Sequence, residues 1–124
     1  MINTERNASE TAWEKSYFCK RTNELLRIYD HFGYKNQLEK LSEEIKEFSE
    51  AYADWVANGF DIAFWDHMIE ELADVDILIS QFRKNIIRND DNYLFHQDLY
   101  HAEEAKVART LGRIKEGYYD EEEK

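Results

Sequence analysis

Two short acidic stretches carry residues whose types and spacing could do chemistry. In "LSEEIKEFSEAYADW" (41–55), Glu43, Glu44 and Glu47 form an EExxE pattern, and in "MIEELADVDILISQF" (68–82) Glu71 and Asp74 form ExxD. Carboxylates three residues apart on a helix share a face, about one turn apart. At ~100° per residue, Glu44 falls close to Gln37, Phe48, Ala51 and Trp55, with Glu47 on the flank of that stripe. Glu43 turns toward Glu39, Glu50 and Asp54, a solvated face. Glu71 and Asp74 share a stripe with His67, Leu78 and Phe82, while Glu70 points elsewhere. Acids aimed along apolar stripes lose hydration and repel one another unless a cation sits between them. A hard divalent ion such as Mg²⁺ removes that conflict, because it takes oxygen ligands and keeps positions for water or phosphate.

The connection between the two stretches sharpens this. The midpoints of Glu44/Glu47 and of Glu71/Asp74 each lie roughly 13 residues from Gly59, or about 20 Å along a helix. If Gly59 is the pivot of an antiparallel hairpin, four carboxylates face one another at the same height. Each motif alone is common on solvated helices; their combination at matched height favours a metal site. Iron in a di-iron carboxylate bundle is disfavoured, since that chemistry uses Glu-x-x-His pairs and no glutamate here has a histidine three residues later.

The elements that must position these acids are helices. The 124 residues include no proline, and no strand-like alternation competes with the helical period. A first helix is expected from about Ser9 to His31, with Trp13, Tyr17, Leu25 and Ile28 inward and Gly33 as its C′ residue. A second runs from about Asn36 to Ala57, with Leu38, Leu41, Ile45, Phe48, Tyr52 and Trp55 as core candidates. "NGFD" (58–61) supplies a stop, a glycine and a new N-cap. The third carries Ile62, Trp65, Ile69, Leu72, Val75, Ile79, Phe82 and Ile86 inward and breaks at "RNDDN" (88–92). The last runs from about Asp98 to Glu116. The expectation is an all-α antiparallel bundle of about four helices in a single domain, 1–117, followed by a disordered acidic tail, 118–124.

Composition bounds the partners. The formal net charge is −11, which opposes polynucleotide backbones and anionic membranes, though not a small phosphate ligand arriving with a divalent ion. Cys19 is the sole cysteine, so no intrachain disulfide can form. No apolar run reaches membrane-spanning length and the start does not read as a signal peptide, so the expected location is the cytoplasm.

"QLEKLSEEIKEFSEAY", "IEELADVDILISQF" and "KVARTLGRI" together resemble the all-α NTP pyrophosphatase superfamily, which includes the MazG proteins, dimeric dUTPases and dCTP pyrophosphatases. The resemblance covers roughly 32–115. It implies Mg²⁺-dependent hydrolysis of a nucleoside triphosphate between the α- and β-phosphates, with Mn²⁺ able to substitute, in a homodimer or homotetramer. By motif position it assigns Glu44, Glu47, Glu71 and Asp74 as metal ligands, with Glu47 also handling the attacking water. Lys106 and Arg109, with Arg113, form a basic stripe that reads equally well as a solvated face or as a phosphate site; the resemblance favours phosphate for Lys106 and Arg109. Gln37 and Trp55 are candidate contacts for base or sugar, although a glutamine near a helix start and an aromatic at core spacing also have plain structural readings. The alternative function is a non-catalytic helical module that keeps the fold and binds metal or nucleotide without turnover.

Overall fold

Glycine, asparagine and aspartate set the breaks between the helices, as their chemistry predicts. The computed structural model describes residues 20–90 and 94–117. Among them are four helices and no strand: α1 (20–32), α2 (Tyr34–Ala57), α3 (Ile62–Arg88) and α4 (Phe95–Lys115). The expected beginning of the first helix, with Trp13 and Tyr17, and the acidic tail lie outside the described residues. The chain groups into two compact units, one up to Asn85 and one from Ile86 onward. None of the helices among the described residues is long and apolar enough to cross a membrane.

Gly33 both ends α1 and begins α2. Its φ of 83° and ψ of 155° lie in a region essentially restricted to glycine, and its N–H donates to Tyr29 O at 2.9 Å. α2 therefore starts two residues before the expected Asn36. At its other end Asn58 donates through its backbone N–H to Asp54 O at 3.0 Å, and its side chain reaches the same carbonyl at 2.7 Å. Gly59 and Phe60 follow with φ of 68° and 61°. Asp61 then caps α3, its Oδ1 accepting from Ala63 N–H at 2.9 Å.

α2 and α3 form an antiparallel hairpin whose symmetry centre is Gly59. Gln37 and Gln81 each lie 22 residues from it, Glu44 and Asp74 each 15, and Glu47 and Glu71 each 12. α1 packs on this pair through Leu25 and Tyr29, both buried. The Tyr29 ring meets Phe82 edge-on at 5.7 Å, and its hydroxyl accepts from Asn85 Nδ2 at 3.2 Å.

The buried line differs from the expected one. On α2 it consists of Gln37, Glu44 and Ala51, spaced by seven, and on α3 of Met68, Val75, Leu78 and Gln81. Leu38, Ile45 and Tyr52, expected in the core, are each nearly half exposed, and Leu41, Phe48 and Trp55 are intermediate. Ile62, Trp65, Ile69, Ile79 and Ile86 are also exposed; on α1, Leu25 is buried as expected but Ile28 is exposed. The reason is geometric. Three helices offer the hairpin only one covered face, and the stripe nearest the symmetry line takes it.

In the second unit α4 begins at Phe95, three residues before Asp98, because Asp90 Oδ2 accepts the Phe95 N–H at 2.9 Å and starts the turn early. None of its residues is buried.

Candidate metal centre

The hairpin brings three of the four expected ligands together. Glu44 and Glu47 on α2 and Glu71 on α3 each offer an oxygen, all within 4.8 Å of one another. Glu44 is 5% exposed, the Glu71 side chain 13%, and Glu47 opens to solvent. Their order follows from phase: Glu44 is on the buried seven-residue line of α2, whereas Glu47 sits one turn later on its flank. Glu43, about 100° round the helix from Glu44, is exposed. Asp74 stands beside the trio rather than within it. Asp74 is exposed, yet its carboxyl is close enough to Glu44 to feel its charge.

Two oxygens in this cluster, Glu44 Oε2 and Glu71 Oε2, are buried without a hydrogen-bond partner. The other oxygen of Glu44 accepts from Lys40 Nζ at 3.1 Å, and His67 Nδ1 lies 3.8 Å from Glu71 Oε1. Buried polar atoms in folded proteins almost always have partners, so two orphaned oxygens in one cluster ask for a ligand.

Electrostatics divide the acids. Burial and the adjoining Glu44 and Glu47 carboxyls raise Glu71 above the ordinary carboxyl value. Asp74 is raised by partial desolvation and then by the Glu44 charge. For Glu44, burial acts upward, but the Lys40 hydrogen bond, the Glu71 carboxyl and the Lys40 charge outweigh it and hold the group below 4.5. The hydrogen bond and charge of Glu44 in turn raise Lys40 above its ordinary value. Glu44 is thus biased toward its ionised form, and Glu71 and Asp74 toward their protonated forms.

This division fixes a pH dependence. Glu71 and Asp74 bind protons more tightly folded than unfolded. Their contribution to stability is complete below the ordinary values of 4.5 and 3.8 and is lost as pH rises through their elevated folded values. Glu44 acts oppositely, stabilising above 4.5 and losing that as pH falls through its depressed value. The Glu44 contribution varies only below 4.5, so the melting temperature in EDTA should fall as pH rises above that value through the elevated folded values of Glu71 and Asp74. Glu71→Gln should flatten that slope; equal slopes in the two proteins would show that the cluster does not titrate as described.

Next to the acids is a cavity of about 450 Å³, walled by Ile28, Phe32, Ile77 and Leu78, with Asn36, Gln37, Lys40, Asp74 and Gln81 as its polar members. Gln37 Nε2 donates to Gln81 Oε1 at 2.7 Å across the hairpin, and the two residues are 4% and 1% exposed. Gln81 is absent from the sequence-derived candidates. An amide at the end of an apolar stripe reads as its boundary, and its match with Gln37 shows only once Gly59 is fixed as the pivot. Gln81→Leu would keep the volume and strand the Gln37 amide in the wall, which should cost about 1–3 kcal/mol. Denaturant unfolding of the single variant and of Gln37→Leu/Gln81→Leu checks this: the double variant should recover most of the loss, and additive losses would rule out the coupling.

Trp55 is not on the cavity wall. It lies 11 residues beyond Glu44 on α2, about 16 Å along the axis, in an aromatic group at the hairpin turn. Its ring meets Tyr52 at 5.8 Å, Phe60 at 4.8 Å and Trp65 at 5.5 Å. Lys106 and Arg109 belong to the second unit and lie exposed on α4, where Lys106, Val107, Thr110 and Leu111 line a shallow depression.

Comparison of the chain with known family profiles, curated proteins and solved structures gives no match.

Proposed function

We infer that this protein is a Mg²⁺-dependent nucleoside triphosphate pyrophosphohydrolase of the MazG-like, all-α kind, yielding a nucleoside monophosphate and pyrophosphate. The observation that carries the reading is the pair of unpartnered buried oxygens, Glu44 Oε2 and Glu71 Oε2, within a cluster of three glutamates. An all-carboxylate donor set suits a hard cation rather than one that prefers thiolate or imidazole. Glu44, Glu47 and Glu71 would hold the ion, with Asp74 beside them, and Mn²⁺ would serve in its place. When bound, the ion supplies charge for the phosphates and acidity for a coordinated water.

The residues of the chain have distinct tasks in this reading. Glu47, the most open of the three glutamates, accepts a proton from the attacking water. The cavity takes the neutral end of the nucleotide against its apolar wall, with Gln37 and Gln81 offering hydrogen bonds. Lys106 and Arg109, exposed on α4 of the second unit, are the residues to which the sequence resemblance assigns phosphate binding. The reading includes a homodimer or homotetramer, supported by the row of exposed apolar residues on α2.

Incubation with a panel of ribo- and deoxyribonucleoside triphosphates tests it. At least one should give monophosphate and pyrophosphate in equal amounts with Mg²⁺, and none should do so with EDTA. Orthophosphate as the first product would overturn the bond assignment. A melting temperature raised by Mg²⁺ without turnover of any nucleotide would leave a binding module instead.

A further inference from the structure

Lys40 belongs to both the acidic cluster and the cavity. Its Nζ is 3.1 Å from Glu44 Oε1, and the same residue lines the cavity together with Gln37, Asp74 and Gln81. The two partners differ sharply in exposure: the lysine side chain is 56% exposed and the glutamate side chain 7%. The carboxylate is therefore fixed and the ammonium is movable, on a flexible stem one helical turn away. Only Oε1 of Glu44 is used by this contact, and Oε2 stays without a partner.

A divalent ion on Glu44 would bring two further positive charges within several ångströms of the ammonium. Cations that share one poorly hydrated carboxylate repel, and the more mobile one yields. The cavity gives Lys40 somewhere to go. A phosphate lying between the ion at Glu44 and the ligand's neutral end in the cavity would meet an ammonium just released from its acid. We propose that Lys40 is the resident counter-ion of the cluster, holding Glu44 while no metal is bound and turning to a phosphate of the ligand when a divalent ion takes the carboxylate.

This inference rests on the metal reading above, and it carries a signature that a plain surface ion pair lacks. Loss of the charge should strengthen binding of the bare ion and weaken binding of the ion with a polyphosphate. A lysine that only supports the helix would change neither, or would weaken both.

The test is calorimetric titration of the full chain, as wild type, Lys40→Met and Lys40→Arg, first with Mg²⁺ alone and then with Mg²⁺ and inorganic tripolyphosphate. Lys40→Met should bind Mg²⁺ about tenfold more tightly than wild type and Mg²⁺-tripolyphosphate about tenfold more weakly. Lys40→Arg, which keeps the charge, should stay near wild type for the bare ion. In EDTA, Lys40→Met should melt a few degrees lower, because Glu44 has lost its partner. If Lys40→Met fails to fold by circular dichroism, Lys40→Gln is read in the same way. Equal or weaker Mg²⁺ binding by the uncharged variant, with wild type binding normally, overturns the counter-ion role and leaves the metal site intact. Unchanged tripolyphosphate binding overturns the hand-over to phosphate. A wild type that takes no Mg²⁺ overturns the metal reading, and this proposal with it.

Discussion

In EDTA at neutral pH, Glu71→Gln should melt a few degrees above wild type, Glu44→Gln should not, and both should lose nucleotide hydrolysis by at least ~100-fold. The two acids sit in one cluster and differ in what neutralises them. Glu71 is raised by burial and by the carboxyls of Glu44 and Glu47, so its ionised form opposes folding at neutral pH. An amide of the same size removes that opposition and can donate to a neighbouring carboxylate. Glu44 already has Lys40 at 3.1 Å and is held below its ordinary value, so its ionised form favours folding. Replacing it discards the ion pair and gains little. Both lose activity because each carries one of the two orphaned oxygens. Mg²⁺ should raise the melting temperature of wild type and raise that of either variant less. Thermal melts in EDTA and in Mg²⁺, paired with pyrophosphate release, give every quantity needed. Equal melting temperatures for the two variants in EDTA would show that the acids are equivalent and that Lys40 does not distinguish them.

Much of this site is written in helical phase. Glu44 is seven residues from both Gln37 and Ala51, and those three are the buried residues of α2. The pivot was legible too, because asparagine, glycine and aspartate each have a definite use in "NGFD" and the turn employs each accordingly. What phase does not report is which of several apolar lines a helix will bury. Leu38, Ile45 and Tyr52 repeat every seven residues as regularly as the buried line does, and periodicity alone cannot rank the two. Lys40 was hidden for a related reason. A lysine four residues before a glutamate is a common surface pair, and only the burial of Glu44 makes this one unusual. Asp74 shares a face with Glu71 by spacing, but spacing does not encode depth, and the structure sets it outside the trio.

The exposed line on α2 leads to the second large effect. Wild-type protein should scatter light as a dimer or larger assembly of its 14.9 kDa chain, and Ile45→Glu/Tyr52→Glu should scatter as the single chain. Leu38, Ile45 and Tyr52 are each between 46% and 49% exposed, on a helix whose line about 100° round, Gln37, Glu44 and Ala51, is already covered. Full burial of such a side chain stabilises by roughly 1.5–3 kcal/mol, and about half of that is still available here. Closed two-fold packing would count each substitution twice, so four side chains together represent about 3–6 kcal/mol, or ~10²–10⁴ in dissociation constant. Buried charge would add to the loss. Within one chain the same substitutions fall at exposed positions and should change its stability little, so circular dichroism should remain helical. A wild type already at 14.9 kDa at micromolar concentration would remove the basis for the assembly. A double variant that stays assembled would move the interface away from this line of α2.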